Sequence, residues 1–343
     1  MLRFAIACGP TGGHLIPAKL VAEQLIKKGY QVQIFSSASP DNPLISGIKS
    51  RYYRLDTEGW RGGLFSRFRC LFKIGLEFKR AFNFLSDKDA VISFGGYPAL
   101  PLLLAARVRR RPIFIQEQNR LMGRANRLFA SKASCCFWGF PPLQRSAASE
   151  NIITGNPVRR QLPRRGNWFS KNPLLVVTGG SQGAKELSRY LTSAAPYFLS
   201  EGWHIFYVKG KFGLDVKGSV GSDPGVRQVE FEPELPAVIG AADCVWSRAG
   251  AGALSEIVYY GKPALLFPFP SAAENHQLLN AQYIIERGPA EIGTELEPVR
   301  QFKRSQALAE LKEGYECTVS ATELPEEIIA GKVIEEVQTD EKN

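Results

Sequence analysis

The chain has 343 residues, 44% hydrophobic and 22% charged, a balance that excludes disordered and fibrous classes and is large enough for two domains with full cores. Its longest purely apolar run, residues 99–106, is far short of the ~20 residues of a membrane-spanning helix, and the N-terminus carries no secretory signal pattern. The net charge of +10 is uneven: residues 1–160 hold 25 Lys and Arg against 9 Asp and Glu, and residues 161–343 hold 18 against 24, so the first half is built to meet something anionic.

The first predicted element is the apolar strand "LRFAIAC", followed by the loop "GPTGG" and a helix. Ala18, Val21, Ala22, Leu25 and Ile26 recur at helical spacing, and Gly29 stops the helix. A glycine loop entering a helix exposes backbone N–H groups at the positive end of the helix dipole. Thr11, Gly12 and Gly13 are therefore predicted to cradle an oxyanion or sugar hydroxyls, and the alternative is a tight packing turn. Pro17 is predicted in the first helical turn, where its missing N–H costs nothing. "QVQIFSS" is the second strand, and it ends without a carboxylate.

Residues 64–85 contain six phenylalanines, with Arg67, Arg69, Lys73, Lys79 and Arg80 interleaved. Phe68, Leu71, Phe72, Phe78, Phe82 and Leu85 fall near one helical face. A core helix has such a face too, but here apolar residues also lie off it and nearly all the charge is positive. The pattern predicts a helix lying on an anionic lipid surface, with Phe68, Phe72, Lys73, Phe78, Lys79, Arg80 and Phe82 in contact. Arg107, Arg109, Arg110 and Arg111 extend the basic surface.

Strand, glycine turn and helix repeat in "AVISFGGYPALPLLLAARV", and "RPIFIQEQN" is another strand ending in polar residues. Residues 156–173, rich in Pro, Arg and Asn, read as a linker. The plan then restarts with "LLVVTGGSQGAKELSRYL", "WHIFYVKG" and "AADCVWSRAGAGALSEIVYYGKPALLFPFP". Repeated βα units predict two α/β domains with parallel sheets, residues 1–157 and 158–343, with the last helix packing back on the first domain. Four glycine loops at strand ends favour a phosphate ligand. Neither GxGxxG nor GxxxxGK[ST] is present, which disfavours nicotinamide cofactors and P-loop hydrolysis. Glu256 follows the last glycine loop, where it either accepts ribose hydroxyls or stabilises the helix dipole.

Asp87 and Asp89 spell DxD but precede a strand, so they read as a turn and no metal is expected. His14, His204 and His276 form no ligand pattern. The six cysteines (Cys8, Cys70, Cys135, Cys136, Cys244, Cys317) show no CxxC pair and read as reduced thiols of a cytosolic protein.

The stretches "GPTGGHLIPA", "SFGGYPALP", "QEQNRLMGRANRL", "TGNPVRR", "TGGSQGAKEL", "SRAGAGALSEIVYYGKPALLFPFP" and "ENHQLLNAQ" occur in one order over residues 9–282. Together they resemble the MurG family of UDP-N-acetylglucosamine transferases. The resemblance implies a GT-B architecture, two Rossmann-like domains facing across a cleft. It implies an inverting hexosyltransferase that moves N-acetylglucosamine to the 4-hydroxyl of the muramyl sugar of lipid I, an undecaprenyl-pyrophosphoryl-muramyl-pentapeptide. The product is lipid II, for peptidoglycan synthesis at the cytoplasmic face of the bacterial inner membrane. No metal, cofactor or nucleic acid is implied.

Carried over by motif, Thr11, Gly12 and Gly13 lie at the sugar and acceptor, and Asn119 and Gln277 reach the donor sugar. Arg159, Ser181 and Gln182 lie along the diphosphate, Ala251 and Gly252 offer N–H groups to phosphate, and Glu256 takes the ribose. His14, at a helix start whose dipole keeps imidazole neutral, is the expected general base, the alternative being a polar cap. The chain departs from the family at Pro10 for glycine, Gln116 for histidine, Ala249 and Ala253 for hydroxyl residues, and "FEPEL" for "FIDDM". Two other readings are a non-catalytic nucleotide-sugar-binding membrane partner and an NAD(P)-dependent oxidoreductase.

Overall fold

A computed structural model describes the chain apart from residues 1, 46, 48–49, 58–63, 165–171, 294–297, 312–313, 316–322 and 341–343, and the side chains of 64–67 and 340. Cys317 and part of the 156–173 stretch lie outside the described residues. The chain forms two compact units, Met1–Val158 with Val319–Asn343, and Arg159–Thr318.

The first unit runs β1 (Arg3–Cys8), α1 (Gly12–Lys27), β2 (Gln31–Ser36), β3 (Arg51–Arg54), α2 (Leu64–Phe84), β4 (Asp89–Ser93), α3 (Leu100–Val108), β5 (Ile113–Glu117), α4 (Arg124–Phe129), β6 (Cys135–Trp138) and β7 (Glu150–Ile153). Its described strands form one seven-stranded sheet, ordered β3-β2-β1-β4-β5-β6-β7, with every pairing parallel. The order reverses direction between β1 and β4, the topological switch point beside which open α/β sheets bind ligands.

The apolar run of β1 is continuous because both faces are covered. Phe4, Ile6 and Cys8 join one core cluster with Leu15, Val21 and Leu25 of α1, whereas Ala5 and Ala7 join the other with Ala81, Leu102 and Ala106 of α2 and α3. The period of two thus puts large side chains under α1 and alanines under α2 and α3.

The second unit continues with β8 (Leu174–Thr178), α5 (Lys185–Ser200), β9 (His204–Val208), α6 (Gly218–Gly221), β10 (Val226–Val229), α7 (Leu235–Ala241), β11 (Cys244–Ser247), α8 (Ala251–Tyr259), β12 (Ala264–Leu266), α9 (His276–Ile285), β13 (Ala290–Ile292) and α10 (Pro298–Glu310). The sheet order β10-β9-β8-β11-β12-β13 repeats that of the first unit, again all parallel. Leu175 and Val177 pack with Leu187, Leu191 and Phe198 of α5, and Phe198 meets Trp246 and Phe302 edge-on.

The last helix, α11 (Pro325–Asp340), packs on α1 through Ile329, Ala330, Val333 and Val337, so it belongs to the first unit's core. Lys332 ties it to Glu150 at 3.3 Å. No described helix is long and apolar enough to cross a membrane.

Candidate active site

In the first unit, β1 hands the chain to the loop of residues 9–11, and Thr11 is the N-cap of α1 in an extended conformation. Its hydroxyl caps no backbone group; it lies 3.0 Å from His14 Nδ1. A Cβ on Gly9 would come within 2.9 Å of the same nitrogen, so glycine there is what lets the imidazole rest against the backbone. Gly96 (φ +81°) is equally constrained, since a Cβ there would lie 2.8 Å from Gly9 Cα. The β4 loop and the β1 loop are thus packed backbone to backbone.

Gly13 differs, because nothing lies within 4 Å of where its Cβ would stand. Internal packing does not require glycine at that position, but a ligand approaching the helix end would. No acidic side chain stands in the first turn of α1, so its positive end is uncompensated.

A buried polar cluster lies where β5 and β6 end. Glu117, almost fully buried, accepts hydrogen bonds from the backbone N–H groups of Asn119 (3.2 Å) and Gly123 (2.9 Å) and from the amides of Asn119 (3.0 Å) and Asn126 (3.0 Å). Asn126 Oδ1 accepts from Ser93. Gln116 Nε2 donates to Asn156 Oδ1 at 3.1 Å, and Gln118 Nε2 donates to Gln116 Oε1 at 2.6 Å. Asn119 is therefore held by Glu117, a residue the sequence reading passed over within the same "QEQN" motif. A carboxylate closing an otherwise buried apolar strand was the available signal.

In the second unit, α8 starts at Ala251 after the N-cap Gly250, again without an acid in the first turn. Gly250 and Gly180 also leave open space at the Cβ position. Gly183 does not: a Cβ there would lie 2.3 Å from the Lys209 carbonyl oxygen. Of the three glycines in "GGSQG", Gly179, where a Cβ would lie 2.6 Å from Ala184 N, and Gly183 are packing residues, and this loop is bound to the next by Phe212 N–H donating to the Gln182 carbonyl at 2.9 Å. Ser181 and Gln182 are exposed.

Glu256 is buried on α8 and paired with Arg159, whose Nε and Nη2 both lie 3.1 Å from Oε1. Burial pushes the Glu256 carboxyl above its ordinary pKa, and the charge and hydrogen bond of Arg159 pull it back. Arg159, expected along the diphosphate, and Glu256, expected at the ribose, thus form one ion pair. Gln277 Oε1 accepts from Phe269 N–H at 2.9 Å. Just before it, Glu274 and Asn275 both take left-handed conformations (φ 54°), a strained entry to α9. Arg248 holds the same loop, donating to the Phe267 carbonyl (3.2 Å) and to Glu186 Oε2 (2.7 Å).

The α2 face needs correction. Phe68 and Phe72 are 72% and 68% exposed, with Leu71 and Leu76 exposed beside them. Phe78 and Phe82, also expected at the lipid, instead pack half-buried on the core with Phe84. α3 and the core cover the second half of α2, and among the described side chains of residues 68–76 only Cys70, which hydrogen-bonds Tyr97, is buried. Lys79 is exposed, Lys73 pairs with Asp56 at 2.9 Å, and Arg80 pairs with Glu77 at 2.8 Å. Arg109 donates to the Phe82 carbonyl, at the other end of a helix ~31 Å long from Phe68.

Asp89 takes the Arg3 guanidinium at 2.7 Å and Asp87 is 91% exposed in its side chain, the connecting turn expected of DxD. Burial pushes the thiols of Cys8, Cys135 and Cys244 up to about 12, which makes them poor nucleophiles.

Residues 4–138 match the glycosyltransferase family 28 N-terminal domain, and residues 174–299 match the family's C-terminal domain. A protein of Synechococcus sp. (strain RCC307) named UDP-N-acetylglucosamine–N-acetylmuramyl-(pentapeptide) pyrophosphoryl-undecaprenol N-acetylglucosamine transferase is 34% identical over 85% of this chain and 82% of its own. A protein of the same name from Parasynechococcus marenigrum (strain WH8102) is 35% identical over 87% of this chain and 85% of its own. The crystal structure of Acinetobacter baumannii MurG aligns with a TM-score of 0.72 at 26% identity, covering 99% of this chain and 100% of that one.

Proposed function

The chain belongs to the MurG family of glycosyltransferase family 28, with the GT-B fold, and from that premise we propose how it moves N-acetylglucosamine from UDP-N-acetylglucosamine to lipid I, making lipid II. The observation that carries the activity is one-third identity to transferases of that name over more than four-fifths of the chain.

The 4-hydroxyl oxygen of the muramyl sugar attacks the anomeric carbon, the bond to the UDP oxygen breaks, and the configuration inverts. His14 takes the hydroxyl proton. In the tautomer in which Nδ1–H donates to Thr11 Oγ1, Nε2 is the basic nitrogen, and the 3.0 Å contact orients it. The leaving diphosphate gathers negative charge, which the uncompensated end of α8 at Ala251 and Gly252 stabilises without a metal, with Ser181 and Gln182 in the neighbouring loop. Glu256 takes the ribose hydroxyls, while Asn119 and Gln277 reach the sugar. Thr11, Gly12 and Gly13 hold the acceptor side.

The exposed Phe68, Leu71, Phe72 and Leu76, with Arg69 and Lys79, support attachment of the first unit to an anionic membrane surface, where a lipid-linked acceptor resides. In a bacterium this is the cytoplasmic face of the inner membrane. Purified protein with labelled UDP-N-acetylglucosamine and a soluble lipid-acceptor analogue should form the disaccharide and release UDP. Donor binding without turnover would instead establish the non-catalytic partner.

A further inference from the structure

The sheet of the first unit has a cavity at the end opposite its glycine loops. β1, β2 and β3 begin at Arg3, Gln31 and Arg51, and beside these starts lies a space of about 280 Å³ that Tyr30, Gln33 and Ser50 also line. A strand rises ~3.3 Å per residue, so the length of β1 puts this space about 17 Å from the loop of residues 9–11.

The polar groups around it are unspent. Arg3 is fixed, with Nε donating to Asp89 Oδ1 (2.7 Å), Nη2 donating to the Phe84 carbonyl (2.8 Å) and the guanidinium stacked on the Phe84 ring at 4.1 Å, while Nη1 has no partner among the described residues. The side chains of Gln31, Gln33 and Arg51 make no hydrogen bond or ion pair among the described residues, and Ser50 Oγ is buried without a partner. Register sets Arg3 beside Gln31 and Gln33 beside Arg51, and the period of two keeps all four on one face of the sheet. Among the described residues that line the cavity none is acidic. Asp89 balances the charge of Arg3, so Arg3 contributes a prealigned N–H group and Arg51 the net positive charge. Guanidinium groups only donate, and amide and hydroxyl groups can donate too, so an anion with several acceptor oxygens satisfies the whole set.

We propose that this cavity binds a phosphoryl group carried by a small soluble phosphomonoester, at a site separate from the transfer reaction. A phosphate offers acceptor oxygens that match the guanidinium fork, and Ile26 and Val32 provide an apolar wall for a short carbon body. The volume lies near the lower end of small-molecule pockets, ~300–1,000 Å³. A lipid headgroup presents the same phosphoryl chemistry, but Phe84, on which Arg3 stacks, lies about 24 Å along α2 from the exposed Phe68.

Calorimetry at physiological salt would use inorganic phosphate, glycerol 3-phosphate, glycerol and soluble dihexanoyl phosphatidylglycerol against the native protein, Arg51→Gln, Ser50→Ala and, as a control for general charge attraction, Arg107→Gln. Both phosphates should bind one-to-one and raise the melting temperature, and glycerol should do neither. Arg51→Gln should weaken both about tenfold or more, the loss of a charged hydrogen bond, and Ser50→Ala should weaken them less. Arg107→Gln should bind like native protein. Arg51 is exposed at a strand start, so Arg51→Gln should melt with the native protein. If it melts early, Arg51→Lys, which keeps the charge and loses the fork, should still weaken binding. Absence of saturable binding of either phosphate, or equal weakening in Arg107→Gln and Arg51→Gln, would overturn the proposal. Binding of dihexanoyl phosphatidylglycerol without binding of glycerol 3-phosphate would overturn it as well, by assigning the cavity to lipid.

Discussion

Replacing Phe68 and Phe72 with serine should detach the protein from lipid without disturbing the fold. A phenylalanine side chain presents ~200 Å², so exposures of 72% and 68% leave about 280 Å² of the two rings in water. Full transfer to an apolar phase at ~25 cal/mol/Å² would be worth about 7 kcal/mol, and half-immersion about half of that, a hundredfold or more in partitioning. Because this contribution is apolar, salt does not screen it, whereas the contribution of Arg69 and Lys79 is screened. Co-sedimentation with vesicles containing anionic lipid, at low and high salt, separates the two. Native protein should lose part of its binding at high salt and keep part. Phe68→Ser/Phe72→Ser should lose the part that resists salt and melt within a few degrees of native. Arg69→Glu/Lys79→Glu should lose most of the salt-sensitive part. Phe78→Ala/Phe82→Ala, by contrast, should lower the melting temperature, since those half-buried rings pack on the core and truncating each costs about half of the ~3–5 kcal/mol of a fully buried phenylalanine. If Phe68→Ser/Phe72→Ser sediments like native protein at high salt, or unfolds, the lipid assignment of this face is refuted.

His14→Ala should cut turnover ~10²–10⁴-fold with UDP affinity nearly unchanged, measured by steady-state kinetics beside calorimetry, and near-normal turnover would return His14 to a polar cap. Gly13→Ala should be neutral or stabilising by up to ~1 kcal/mol, because its Cβ meets open space in a helix, yet activity should fall as the ligand's approach is blocked; full activity would show that no ligand comes close there. Transfer should persist in excess chelator, since Asp89 is held by Arg3; activity rescued only by Mg²⁺ or Mn²⁺ would reverse that view.

The alternation of strand, glycine turn and helix was legible because each sheet is covered on both faces, which leaves continuous apolar strands and glycine where the chain must turn sharply. The ordered motifs placed the family, and with it the fold. The uncompensated starts of α1 and α8 could be read locally as well, because dipole and first-turn composition are properties of consecutive residues. What the tertiary structure decided involves residues far apart. The helical face of residues 64–85 was visible in the spacing, but which part of it α3 and the core cover depends on neighbours that spacing does not name, so Phe78 and Phe82 joined the core while Phe68 and Phe72 did not. Glu117 became a hub because β5 ends where α4 brings Asn126 to its carboxylate. Arg159 and Glu256 are separated by 97 positions, and only the close approach of residues 159–164 to α8 pairs the two. Local pattern reports what one turn or strand needs; long-range pairing is set by which surfaces the fold brings into contact, and a buried charge takes the partner it finds there.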